Sequence, residues 1–404
     1  MYSRKFLPLI IMVALALGFT GGILYSQTNS PALIQKLINQ DSGQPQNVDF
    51  SLFWEAWNTL EKKYVDKSKL DTQKMVYGAI EGMVSAVGDP YTVFFEPVTS
   101  NKFQEEISGS FGGVGMELGM RDELLTVISP LKNTPAFRAG IQAGDRISKI
   151  EGVSTVGVKI EDAISKIRGK AGTRVTITIT DNKNISRDVT LTREVINVPT
   201  VEWKIIESKG KRAAYVQIFS FNQKVDSQFD KAAKEIAASN ADALIIDLRN
   251  NPGGLLDSAI NLAGYFLNDG QVVVSEIFGD GSRNQFTADG NTTLQKLPTI
   301  ILLNGGSASA SEILAGALHD NLNIKIVGEK TFGKGSVQQL ETFNDGSSLK
   351  VTVAKWYTPD GISISDKGIE PDVKAELSED QRSSVTFGDP DQDPQLQKVL
   401  DILY

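Results

Sequence analysis

Two stretches of this 404-residue chain carry side chains that could do covalent chemistry. "NGGSASASEILAGALHD", residues 304 to 320, alternates three serines with small residues ahead of a helical run. A serine hydroxyl becomes a nucleophile when a base within hydrogen-bond reach takes its proton. His319, the sole histidine, follows Ser309 by ten residues. On one helix that separation is about 15 Å at ~1.5 Å per residue, which no side chain closes. A histidine near a helix end also caps carbonyls or faces solvent. The second stretch, "GEKTFGKGSVQQLETF" at 328 to 343, sets Lys334 between Gly333 and Gly335 ahead of a β-like run. Alternate residues of a strand share a face, so Lys334, Ser336 and Gln338 would point the same way. The Gln338 amide oxygen could then hold the Lys334 amine. Burial lowers a lysine pKa from ~10.4 by several units, and a neutral Lys334 could take the Ser309 proton. Two plainer readings stand beside this one. A lysine in a glycine turn is usually a surface lysine, and Ser309 with Glu312 makes an S-x-x-E capping box that serves the helix alone.

Composition removes several other chemistries. There is no cysteine, hence no thiol nucleophile, disulfide or thiolate metal site, and one histidine cannot make a histidine-rich metal site. No metal or organic cofactor is implied. The net charge of −8 without a long basic block makes nucleic acid an improbable partner. Arg4 and Lys5 precede 20 residues without a charge, "FLPLIIMVALALGFTGGILY" at 6 to 25. That length crosses a ~30 Å hydrocarbon core, and the flanking charge puts its N-terminal side in the cytoplasm and the rest outside. No convincing A-x-A site follows, so residues 1 to 25 read as an uncleaved single-pass anchor to the cell membrane. A cleaved signal peptide, giving a secreted or periplasmic protein, is the alternative.

The candidate residues need a scaffold. Residues 26 to 47 are a polar tether, and 48 to 108 a helical N-terminal region with Leu52, Phe53, Trp54, Trp57, Leu60 and Tyr64 on one broad face. A second helix spans Gln73 to Val87 and stops at Gly88-Asp89-Pro90. Between 109 and 195 come a glycine loop at 112 to 118, a strand at 124 to 130, a helix at 159 to 169 and a final strand at 173 to 180. The pattern P-A-x-R-A-G-I-x-A-G-D-x-I-x-x-I-x-G here resembles a PDZ domain. That resemblance implies a peptide groove, with Gly112, Gly113, Val114 and Gly115 holding a chain-terminal carboxylate and the chain end adding as a strand. The glycines could also simply make a turn. Arg168, at the end of the groove helix, could pair with the domain that follows when peptide is bound, or cap its own helix. From 196 to 375, "RAAYVQIFSF", "ADALIIDLRNNPGG" and "LPTIILLNGG" read as strands, each followed by a helical segment. Such alternation predicts an α/β layer with function at strand ends. Residues 376 to 404 form an acidic segment ending in an apolar helix that docks on the rest.

Taken together, "GSASASEILAGALHD", "GEKTFGKGSVQ", "DLRNNPGG", "GDPYT" at 88 to 92 and the PDZ module closely resemble the C-terminal processing (tail-specific) serine peptidases. The resemblance spans residues 50 to 375. It implies a crotonase/ClpP-like α/β peptidase domain with an inserted PDZ domain, acting on polypeptides with free C-termini through an acyl-enzyme. It assigns the nucleophile to Ser309, the general base to Lys334 and the residue orienting the lysine to Gln338. The oxyanion hole would use the N–H of Ala310, at the positive end of a helix, and one from Gly253 or Gly254. Asp320 would give structural support, and Ser307 and Ser311 would pack or cap. The resemblance also implies a homodimer through the terminal helical segments. Two other classes compete: a peptide-binding scaffold with an inactive catalytic domain, against which the intact Ser309, Lys334 and Gln338 set argues, and a crotonase-like acyl-transfer enzyme, for which no nucleotide pocket is visible.

Overall fold

The computed structural model describes residues 48–404 apart from 122, 123, 132, 182, 199 and 366. The apolar run at 6 to 25 lies outside the described residues; among those, no helix is long and apolar enough to cross a membrane. The chain divides into two compact units, Met1–Thr72 and Gln73–Tyr404. In the first, α1 (Ser51–Lys63) groups its aromatic rings, Phe53 lying 4.9 Å from Trp54 and 6.1 Å from Trp57. The Trp57 indole donates to Glu61, one turn on.

The second unit starts in α2 (Thr72–Ser85). The Asp89 carboxylate accepts from the Tyr91 N–H and the Thr92 hydroxyl, and this turn delivers β1 (Val93–Phe95). α3 (Pro97–Ser108) opens on proline, suited to a first helical turn, and closes on left-handed Gly109. Then come β2 (Ser110–Gly113), β3 (Met116–Arg121), β4 (Leu124–Pro130), α4 (Pro135–Arg138), β5 (Arg146–Ile150), β6 (Val153–Ser154), α5 (Ile160–Ile167), β7 (Arg174–Thr180), β8 (Ser186–Thr192) and β9 (Glu194–Asn197). The antiparallel sheet β3-β4-β5-β7-β8 is the body of the PDZ module, and β2 pairs with β9, so the chain enters and leaves the module by adjacent strands. Val175, Ile177 and Ile179 alternate inward against Ala163 and Ile167 of α5. The strand at 173 to 180 is therefore not the last. β8 was missed because only Val189 and Leu191 of "SRDVTLT" turn inward, leaving little apolar signal.

The rest of the chain comprises β10 (Val201–Ser208), β11 (Lys211–Ile218), α6 (Val225–Ala237), β12 (Ala243–Asp247), α7 (Leu256–Gly264), β13 (Val272–Phe278), β14 (Arg283–Thr287), β15 (Thr299–Leu303), α8 (Ala310–Leu322), β16 (Lys325–Gly328), β17 (Ser336–Thr342), β18 (Ser348–Tyr357), β19 (Val373–Lys374), α9 (Glu379–Ser384) and α10 (Pro394–Leu403). Its main sheet runs β10-β11-β12-β15-β16-β19, parallel throughout except for the β10–β11 pair. Strand periodicity divides the apolar residues between two faces. Ala214, Val216, Leu244, Ile246 and Ile301 meet residues of α6, α7 and α8. Ala213, Tyr215, Ile245, Ile300 and Leu302 meet Leu396, Val399 and Leu400 of α10. The docked C-terminal helix thus covers the second face, so the parallel strands are buried on both sides. A second sheet places β18 against β1, β13 and β17, with β14 beyond β13.

Candidate active site

β15 and α8 are joined by the serine-rich turn, and β12 and α7 by "RNNPGG"; the two turns lie side by side. The Ala308 N–H and the Ser311 hydroxyl both donate to the Asn251 carbonyl, at 3.0 and 2.9 Å. The Ser307 hydroxyl donates to the Leu248 carbonyl at 2.8 Å. The serines flanking Ser309 are fully buried and spend their hydroxyls on fixing one turn to the other. Ser309 itself is the N-cap of α8, with φ 53° and ψ −116°. A non-glycine residue there holds backbone strain of the kind met at functional turns.

Gly253 packs directly against this residue. A Cβ on it would lie 2.7 Å from Ser309 Cβ and 2.8 Å from Ala310 N, so only glycine leaves the approach to Ser309 open. Its N–H, however, donates to Asn251 Oδ1 at 2.9 Å. The N–H groups of Gly254 and Ala310 have no hydrogen-bond acceptor among the described residues. The Gly254 turn is held from its other side, where the Phe221 N–H donates to the Gly253 carbonyl and the Leu255 N–H to the Phe221 carbonyl.

Glu312 joins the serine turn to the lysine turn, a link that sequence reasoning gave only as a helix cap. Its carboxylate is fully buried. Oε2 accepts from the N–H groups of Ser309 (2.8 Å) and Lys334 (3.0 Å); Oε1 accepts from the Thr331 hydroxyl (2.5 Å) and the Gly333 N–H (2.8 Å). Burial pushes the Glu312 carboxyl above its ordinary range, and these four donors pull it back.

Burial also holds the Lys334 amine below the ordinary lysine range, with the charge of Lys350 adding to the effect and Glu312 opposing it. The Lys334 Nζ lies 5.4 Å from the centre of the Tyr91 ring. No hydrogen bond joins it to Ser309 or Gln338 among the described residues. The expectation that Lys334, Ser336 and Gln338 share a strand face does not hold at its first residue. β17 begins only at Ser336, and its register shifts between Val337 and Gln338. The Gln338 amide nitrogen donates instead to Ser336 O and Oγ, at 3.1 and 2.7 Å. Ser309, Gly253, Gly254, Lys334, Gln338 and Lys350 nonetheless line one cavity of about 520 Å³.

His319 lies near the other end of α8, its ring nitrogens 3.1 Å from Asp320 and 3.3 Å from Asp372. Asp320 also accepts from the Asp360 N–H. Burial would lower the imidazole pKa, but the two carboxylates outweigh it and raise it. Beneath the glycine turn sits a second feature the sequence did not disclose. Arg249 is fully buried and donates to Asp247 (2.5 and 2.9 Å) and to Asp393 (2.6 and 2.8 Å), with the Phe387 ring 4.2 Å from its guanidinium. Tyr215 donates to Asp247 at 2.5 Å. Nothing in the string "DLRNNPGG" announces a partner 144 residues away.

In the PDZ module β3 is an edge strand facing α5. Gly113, Val114, Gly115, Leu118, Ile167 and Arg168 are among the residues lining a groove of about 220 Å³ between them. Gly112 sits behind it, where a Cβ would meet the Gly169 carbonyl at 2.1 Å. The Arg168 guanidinium lies 3.9 Å from the Phe111 ring centre, and its Nε is buried without a partner. Arg193, unremarked in the sequence, does the capping: it donates to the Ile167 and Lys166 carbonyls. Among the described residues no group of three or more acidic or histidine side chains could hold a metal ion.

Comparison with known proteins matches residues 212–375 to "Peptidase family S41", 126–181 to "PDZ domain" and 11–99 to "Activating protease CtpB N-terminal domain". The chain is 37% identical over 341 residues to the carboxy-terminal processing protease CtpA of Bacillus subtilis, covering 84% of this chain and 72% of that one. It is 34% identical over 371 residues to the carboxy-terminal-processing protease of Bartonella bacilliformis, covering 90% and 83%. Among solved structures, the photosystem II D1 C-terminal processing protease superposes with a TM-score of 0.51 at 29% identity, covering 87% of this chain and 96% of that chain.

Proposed function

Because the chain belongs to peptidase family S41 and is a C-terminal processing serine peptidase with a PDZ domain, we propose that Ser309 and Lys334 are its catalytic dyad. The observation that carries this is the single buried carboxylate of Glu312, which fixes the backbones of both residues at one cavity while burial favours the uncharged Lys334 amine. The Lys334 side chain turns from Tyr91 to the Ser309 hydroxyl when substrate fills the cavity; catalytic hydrogen bonds commonly close only in the complex. The amine takes the hydroxyl proton as Ser309 Oγ attacks the scissile carbonyl. The oxyanion is met by the unpaired N–H groups of Ala310 and Gly254, while Gly253 contributes by its missing side chain. The ammonium then protonates the leaving amine, and Lys334 takes a proton from the water that hydrolyses the acyl-enzyme. Gln338 orients Lys334 in that closed state, after giving up its bond to Ser336.

The PDZ groove takes the substrate's C-terminal end as an added strand on β3, its carboxylate at the loop Gly112 to Gly115. The charge-free run behind Arg4 and Lys5 supports an extracytoplasmic catalytic domain; complete protection from protease added to spheroplasts refutes that placement. The test of the dyad is cleavage of an unfolded protein by the purified chain. Ser309→Ala and Lys334→Ala lose turnover with unchanged melting, whereas His319→Ala keeps most of it. An active Lys334→Ala with an inactive His319→Ala overturns the assignment. In the same assay, amidating the substrate's C-terminus weakens cleavage; equal rates for acid and amide refute recognition of the chain end.

A further inference from the structure

The active-site cavity contains a second lysine. Lys350 lies on β18 between two neighbours, opposite Val93 of β1 and Leu340 of β17. Its Nζ is 5.4 Å from the ring centres of both Phe95 and Phe103, which pack 5.2 Å apart. Among the described residues it forms no ion pair. An ammonium held over aromatic faces keeps its charge while shedding much of its water. Lys350 and Lys334 both line the cavity that holds Ser309, so two amines share one poorly solvated space.

The groups facing the pair are unequal. Asp89, ahead of β1, and Glu106 of α3 act on Lys350; Glu312 of α8 acts on Lys334, whose amine also faces the Tyr91 ring. Burial disfavours the charge on both amines. Lys350 has two carboxylates in its favour, whereas Lys334 has one carboxylate in its favour and the Lys350 ammonium against it. When two coupled amines titrate, the less supported one gives up its proton first.

Resting on the assignment of Lys334 as the base, we propose that Lys350 is a positioning residue for its charge: the ring-held ammonium repels a proton on Lys334 and keeps that amine free to accept one from Ser309. Lys350 takes no proton itself. It acts across the cavity and sets the pH at which the peptidase works.

The test is the pH profile of kcat/KM for the full chain on an unstructured peptide without acidic side chains, since that profile reports the free enzyme. Lys350→Met keeps the aliphatic stem against the rings and removes the charge. Its rising limb moves to higher pH by about one unit, the scale of one nearby like charge. Below the midpoint this appears as roughly tenfold lower kcat/KM, converging toward wild type on the alkaline plateau. Lys350→Arg keeps the midpoint, because a guanidinium stays charged throughout. An unchanged midpoint in folded Lys350→Met overturns the proposal, and so does an equal shift in Lys350→Arg, which would make packing the cause. If melting curves show Lys350→Met unfolded, Lys350→Gln gives the same reading. Lys334→Ala is run alongside: its retained cleavage would sink the base assignment itself, whereas a dead Lys334→Ala with an unmoved Lys350→Met sinks only the role of Lys350.

Discussion

Replacing Glu312 with glutamine changes one oxygen for one nitrogen at the point where the serine and lysine turns meet. The carboxylate accepts four hydrogen bonds, two on each oxygen. Glutamine offers a single oxygen. With its nitrogen toward Thr331, the threonine hydroxyl can rotate and accept, but the Gly333 N–H then faces a donor. With its nitrogen on the other side, the N–H groups of Ser309 and Lys334 are both orphaned. The first orientation strands one buried donor and the second strands two, so the side chain adopts the first. One unsatisfied buried donor costs about 1–3 kcal/mol, and the remaining bonds weaken as the charge is lost. Relief from burying a carboxylate offsets part of this. The expected loss of stability is therefore about 1–3 kcal/mol, read from urea unfolding. The catalytic loss is larger. Gly333 precedes Lys334 directly, and a displacement of about 1 Å at a reacting group costs roughly 10²-fold. Glu312 is not among the residues lining the cavity, so kcat falls while KM stays near wild type. A Glu312→Gln enzyme that loses stability but keeps kcat within about threefold refutes the argument, leaving Glu312 as a helix cap only.

Three further outcomes follow from geometry already given. Gly253→Ala drives a Cβ to 2.7 Å from Ser309 Cβ at a φ of 92°, so acylation, followed as the burst of first product, falls at least about 10²-fold; a normal burst refutes the close-packing argument. Asp393→Asn leaves Arg249 with one buried carboxylate and costs about 3 kcal/mol in chemical denaturation; a change below about 1 kcal/mol shows the pair to be dispensable. His319 has a raised pKa in the folded chain, so its contribution to stability is complete below its unfolded value of ~6.5 and disappears as pH rises through the raised value. The melting temperature of wild type relative to His319→Gln should therefore decline through that window, and a constant difference refutes the coupling to Asp320 and Asp372.

The sequence was most legible where one kind of regularity acted alone. The parallel strands are continuous apolar runs such as "ALIID", because both faces are buried, and glycine turns mark their ends. The second sheet was less visible. β18, "SLKVTVAKWY", mixes lysines with apolar residues, which blurs its alternation, and its Lys350 lines a cavity. At the site, residue types raised Ser309 and Lys334 only as candidates and the family resemblance assigned them, while the strand rule failed at Lys334, which precedes β17. Glycine in "NPGG" signalled a tight turn but not which N–H is spent: Asn251 takes that of Gly253, a choice made by one buried side chain. Arg249 with Asp393, and Lys350 over Phe95 and Phe103, are pairings between distant segments that no local pattern records.

The Arg249–Asp393 pair has a bearing on how the molecule comes into being. Synthesis runs from the N-terminus, so Ser309, Lys334 and the whole parallel sheet leave the ribosome before Asp393 does. Until then the guanidinium beneath the glycine turn has only Asp247, and the sheet face later covered by Leu396, Val399 and Leu400 is bare. A contact spanning 144 residues is slow to form, and here it is also late. The growing chain therefore passes through an interval in which Ser309 and Lys334 exist but the glycine turn packed beside Ser309 lacks the buried ion pair beneath it. The glycine turn and the sheet face beneath it gain these partners only once the segment that carries Asp393, Leu396, Val399 and Leu400 has been made.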